Sequence, residues 1–157
     1  MISDRFINEV NGIYQYYKDV GNSLLLSIGQ DSANSTKKKH VEYLRQTIPI
    51  MFCMAWEKFC KELEDNEPEK FKACFENRGN KYWDMYYNDS IAEIILKRNC
   101  LVHGEYLVSK YLIEAFPGRY ILKDKLPEIT DTELDNQYTH FISVFEKIKN
   151  SSLSLLP

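Results

Sequence analysis

Glycine and proline are sparse in this chain, at 6 and 5 residues among 157. With 44% apolar residues besides, such a sequence is globular rather than disordered or low in complexity. No apolar run approaches the roughly 20 residues that a helix needs to cross a bilayer. The first residues do not form a charged-then-apolar leader. The 4 cysteines, Cys53, Cys60, Cys74 and Cys100, include no C-x-x-C pair. They read as buried reduced thiols, and the expected location is the cytoplasm. The 3 histidines are dispersed at His40, His103 and His140, so no zinc spacing arises. A glycine-rich phosphate loop, a dinucleotide fingerprint and a G-x-S-x-G elbow are all missing. Neither a metal nor a cofactor is expected. Net charge is −3 and the isoelectric point about 5.7, which excludes a surface coated in positive charge for nucleic acid. A local basic cleft remains compatible with that balance.

The chain is rich in helical periodicity. The length suits one domain with a core of its own, about residues 4–149, and then a fraying tail over 150–157. Phe6, Val10, Ile13, Tyr14, Tyr17, Val20, Leu24 and Ile28 recur at threes and fours, predicting a first helix over 4–28. Tyr14, Tyr16 and Tyr17 are either packing residues or stacking platforms. A polar loop, Gly29–Ser35, leads to a long second helix over 36–65, with Pro49 expected to kink or break it. Lys37, Lys38 and Lys39 crowd its first turn, where cations oppose the helix dipole. They are either a solvated turn or phosphate contacts.

A short helix is predicted from Asn66 to about Phe75, with Pro68 in its first turn, and a turn at Arg78–Asn80. Tyr82, Trp83, Met85, Tyr86 and Tyr87 then cluster, as packing residues or as a base-stacking wall. Asp89 or Ser90 should cap a helix over 90–103, with Glu93 completing a capping box. More helix is expected over Val108–Phe116, then a short extended stretch over Arg119–Asp124. A last helix is capped by Asp131 or Thr132 and carries Leu134, Tyr138, Phe141, Ile142, Phe145 and Ile148. The expectation is an all-α, single-domain helical bundle of about five helices.

The chemistry concentrates in Lys97-Arg98-Asn99-Cys100-Leu101-Val102-His103-Gly104. Ile91, Ile94 and Ile95 set an apolar stripe that Arg98 and Val102 continue, so Arg98 stands where leucine would be expected. A cation there needs a partner, a solvated cleft or an interface. Asn99 and His103, four apart, share a face. Histidine can move a proton near neutral pH, and arginine forks onto phosphate oxygens. The set suits RNA cleavage by the substrate's own 2′-hydroxyl, with His103 as acid or base and Arg98 on the phosphate. Arg98 and His103 are five apart, about 140° in direction on one straight helix. They converge only if the helix loosens or two chains share a cleft. The plainer reading is structural: His103 meets the last carbonyls, and Arg98 pairs with Glu57, Glu93 or Glu105. Glu57 could instead pair with Lys61, four residues on.

Arg98-Asn99, three residues and then His103 resembles the Arg-Asn-x-x-x-His signature of HEPN-domain proteins. Ala55-Trp56-Glu57-Lys58-Phe59 resembles the family's preceding long helix. The run from His103-Gly104 through Val108-Ser109-Lys110-Tyr111-Leu112, then from Gly118 to Asp124-Lys125-Leu126-Pro127, resembles the segment after the motif in stand-alone members of the RiboL-PSP type. The resemblance spans roughly residues 40–149. It implies a helical, metal-independent endoribonuclease of prokaryotic defence or toxin–antitoxin type, leaving 2′,3′-cyclic phosphate and 5′-hydroxyl ends. By the same token, Arg98, Asn99 and His103 would be catalytic, together with Glu57, which would pair with Arg98 or orient His103. Lys37, Lys38, Lys39 and Lys97 are the expected RNA contacts. A two-fold homodimer would bring both His103 residues to one groove, and an antitoxin or defence-system protein is a further conceivable partner. The alternative is a non-catalytic helical module that binds RNA, a nucleotide or a protein, or serves dimerisation. Family toxins silenced by a nucleotidyltransferase carry tyrosine two residues after the histidine. Here that position is Glu105, with Tyr106 one further.

Overall fold

A computed structural model describes residues 3–30, 35–75, 87–104 and 106–152. The predicted Arg78–Asn80 turn, the aromatic residues 82–86, Glu105 and residues 153–157 of the tail lie outside them, as do most of the polar loop and the Ile28 side chain. Six helices occupy the described residues: α1 Arg5–Gln30, α2 Ser35–Asn66, α3 Pro68–Phe75, α4 Asp89–His103, α5 Lys110–Ala115 and α6 Asp131–Asn150. The all-α expectation holds, and each predicted helix is found within a few residues of its expected ends. Arg119–Asp124 forms no strand. Its neighbourhood contributes one isolated antiparallel bridge, Leu107 to Lys125.

Aromatic packing sets the core. Trp56 of α2 is fully buried, with Phe6 of α1 at 5.7 Å, Phe75 of α3 at 6.2 Å and Phe141 of α6 at 5.7 Å between ring centroids. One indole thus joins four helices, and rings of this size carry most of the apolar area a small bundle buries. Pro49 does not end α2, which runs on for more than four turns beyond it, and the proline is buried. The freed carbonyl costs less than the apolar face of α2 gains by staying continuous.

α1 is buried through Phe6, Val10, Ile13 and Tyr17, whereas Leu25 and Leu26 toward its end are exposed. Tyr14 stacks on Tyr138 at 4.0 Å, and Tyr17 donates to Asp131, so both serve packing rather than base stacking. Tyr87, the described member of the aromatic cluster, is likewise buried, edge-on to Phe75.

Two capping expectations are corrected. Asn88, not Asp89 or Ser90, caps α4: its side chain accepts from the Ile91 N–H at 2.9 Å. Glu93 closes no capping box and instead accepts from Arg119 Nη1 at 2.6 Å and from the Tyr120 hydroxyl. Thr130, not Asp131 or Thr132, caps α6 by accepting from the Glu133 N–H at 3.1 Å. In each case the residue one step earlier has the extended backbone that a cap requires. Asp131 is thereby free to accept from Tyr17 and from Arg45 Nε at 2.9 Å.

Candidate functional site at the end of helix α4

From Ile91 to Leu96, α4 is buried around most of its circumference. Ile91, Ala92, Ile94, Ile95, Leu96 and Cys100 are all covered, so α4 runs through the bundle rather than along it. Its last turn emerges. Val102, expected to extend the apolar stripe, is 46% exposed, and His103 is exposed as well. The stripe therefore ends at Arg98.

Arg98 meets that change of surroundings with a partner. Its Nη2 donates to Glu57 on α2, one of the readings left open by sequence. Lys61, the competing partner, pairs with Glu64 and Asp65 instead. The Arg98 side chain is 12% exposed and that of Glu57 36%. Arg98 Nε is buried and makes no hydrogen bond among the described residues. The guanidinium also lies by Cys53. Burial drives that thiol up to about 12, and the nearby positive charge offsets only part of the rise. All 4 cysteines are buried and none is in a disulfide, and burial raises Cys60 well above its ordinary value too. None is poised as a nucleophile.

His103 and Asn99 have no side-chain hydrogen bond or ion pair among the described residues. They share a face of α4 that is not the face of Arg98. The helix stays regular through His103, so the two halves of the motif diverge by about 140° within one chain. Loosening of the helix does not occur. Gly104 ends it with its N–H donating to Cys100 O at 3.0 Å. The need for glycine is spatial: a Cβ there would lie 2.9 Å from Cys100 O and 3.1 Å from Leu107 O.

The lysines divide into two groups. Lys97 pairs with carboxylates, at 2.9 Å from Glu133 and 3.8 Å from Glu93. Lys38 and Lys39 are exposed and border a groove with Tyr43, Tyr106 and Lys125. Lys37 lies on the same first turn of α2. Sequence reasoning gives Tyr43 no role, because it belongs to no motif or charge run. It meets Lys125 only within the family likeness and Tyr106 only for its spacing from the histidine. Among the described residues no group of acidic, histidine or cysteine side chains could hold a metal ion. No described helix is long and apolar enough to cross a membrane.

Comparison with models of known protein families, with curated proteins and with solved structures finds no match for this chain.

Proposed function

We propose that this chain is a metal-independent endoribonuclease of the prokaryotic defence or toxin–antitoxin kind, acting as a homodimer. The observation that carries the reading is the split in the motif. An anchored guanidinium lies on one side of α4, and an imidazole with no side-chain partner among the described residues lies with an amide on another, at the last turn, where the helix again reaches solvent. A purely structural motif does not need an exposed histidine without a partner. The four buried cysteines, none in a disulfide, fit a reducing compartment such as the cytoplasm.

In the proposed reaction His103 takes the proton of the 2′-hydroxyl, and that oxygen bonds to phosphorus. The bond from phosphorus to the 5′-oxygen breaks, and the departing oxygen takes a proton from His103 of a second copy. Arg98 offsets the charge that gathers on the phosphate oxygens, and Asn99 can donate to one of them. The products are a 2′,3′-cyclic phosphate and a 5′-hydroxyl. Glu57 holds Arg98 in place from α2. A second copy is needed because the two halves of the motif diverge in each chain. Met54, 50% exposed, and Val102 supply apolar surface for it, three residues before Glu57 and four after Arg98 on their helices.

One observation favours a second reading, a non-catalytic module for binding or dimerisation. The Arg98–Glu57 pair joins α2 to α4 and has a structural use whether or not RNA is cleaved. Labelled RNA incubated in EDTA separates the two. Wild type should cleave and leave cyclic-phosphate ends, while His103→Ala and Arg98→Ala, folded and of matched dimer content, should not. Equal inertness of all three across several RNAs would leave the binding module.

A further inference from the structure

A groove of about 810 Å³ runs between the N-terminal half of α2 and the segment 125–129, reaching Leu101 in the last turn of α4 and Tyr106 beyond it. We propose that it is the track for single-stranded RNA, with bases stacked on Tyr43 and Tyr106 and phosphates held by Lys38, Lys39 and Lys125. The choice of RNA over DNA rests on the ribonuclease reading. The groove itself does not.

Tyr43 is 58% exposed and Tyr106 44%, so both rings are open to a ligand. Neither ring stacks on another aromatic among the described residues. Tyr106 carries a stronger sign. Its backbone has φ +66°, a left-handed conformation that bulky residues rarely adopt. The strain is held from both sides: its N–H donates to Cys100 O at 3.2 Å, and its carbonyl accepts from the Leu126 N–H at 2.8 Å. A chain that only had to turn here would do so at lower cost with glycine or asparagine.

The charges have the right placement but are few. Lys38, Lys39 and Lys125 are exposed and make no ion pair among the described residues. Arg45 also borders the groove, but its guanidinium is committed to Asp131. Glu42 and Glu128 stand in the same groove. Bulk attraction is therefore weak, and ring stacking must supply much of the affinity. That favours an unpaired strand, whose bases offer their faces, over a duplex or an acidic peptide.

The test is fluorescence anisotropy of a labelled single-stranded RNA in EDTA, on the 157-residue chain carrying His103→Ala so that the probe survives. Tyr43→Ala should weaken binding roughly ten-fold, and Tyr43→Phe should retain it. Tyr106→Gly should weaken binding similarly while melting no lower than its parent, since glycine relieves the φ strain. Lys38→Gln, Lys39→Gln and Lys125→Gln together should reduce the salt slope by about 2. Unchanged binding in the tyrosine variants would overturn the proposal, as would equal competition by duplex RNA or polyglutamate. Groove-dependent binding by a wild type that cleaves nothing would keep the groove and remove the nuclease. Cleavage that needs His103 but is indifferent to the groove variants would do the reverse.

Discussion

Arg98 of α4 donates to Glu57 of α2 at the point where the apolar stripe of α4 stops and the helix meets solvent. The pair is unevenly buried, with the cation 12% and the anion 36% exposed. Removing the anion therefore strands a charge that water reaches poorly. Glu57→Ala should cost about 1–2 kcal/mol, less than a fully buried pair because the carboxylate is partly solvated. Arg98→Met added to Glu57→Ala should recover most of that loss. Urea midpoints of the two single variants and the double would check this. A double no more stable than Glu57→Ala would mean that the pair does not carry the effect.

Val102 and Met54, four residues after Arg98 and three before Glu57, expose apolar surface. If a second copy covers them, Val102→Glu should give a folded monomer with no cleavage activity. Light scattering and circular dichroism would report mass and helicity. An unaltered dimer would place the interface elsewhere.

Two glycines should respond in opposite ways to alanine. Gly104→Ala puts a methyl group against the carbonyls of Cys100 and Leu107, which cannot yield without unwinding the end of α4. A loss of about 1–3 kcal/mol is expected. Gly12, within α1, has nothing within 4 Å of such a methyl, so Gly12→Ala should gain about 0.5–1 kcal/mol. Thermal melts of both variants are sufficient.

Stability should fall in two steps on acidification. His140 of α6 donates through Nε2 to Asn88 Oδ1 at 3.2 Å, supporting the cap of α4, and burial lowers its pKa below 6.5. Glu93, Lys97 and Glu133 line the same cavity. The neutral ring is the form the fold favours. Its contribution is complete above pH 6.5 and is lost as pH falls through the lowered value. His140→Gln should flatten that step. Asp131 and Asp135 give the second. Burial raises Asp131, but hydrogen bonds from Arg45 and Tyr17 outweigh it, and Lys18 lowers Asp135. Both lie below 3.8, so their stabilisation persists down to that pH and is lost beneath it. Urea midpoints measured across the acid range would resolve the steps.

Much of the bundle is legible in periodicity. Apolar residues at threes and fours place the helices, because burying one face is the main term in helix stability, and the sequence records that face directly. The caps of α4 and α6 are less legible, and each lies a residue before the position that residue type suggests. Asn88, Asp89 and Ser90 are all good caps, and only the backbone entering the helix decides among them. Pro49 is legible only in part: its local cost shows in the sequence, and the packing that keeps α2 continuous through it does not.

The sequence by itself determined the helical class, the core residues such as Trp56 and Phe141, and the short list of groups able to do chemistry, since these depend on residue type and spacing along one chain. Tertiary structure alone decided who meets whom. It gave Glu57 to Arg98 rather than to Lys61, tied Lys97 to Glu133, and left His103 facing solvent. It also brought Tyr43 and Tyr106, far apart in sequence, to the same groove. Those pairings depend on how whole helices pack against one another, and no local pattern of residues encodes that distance.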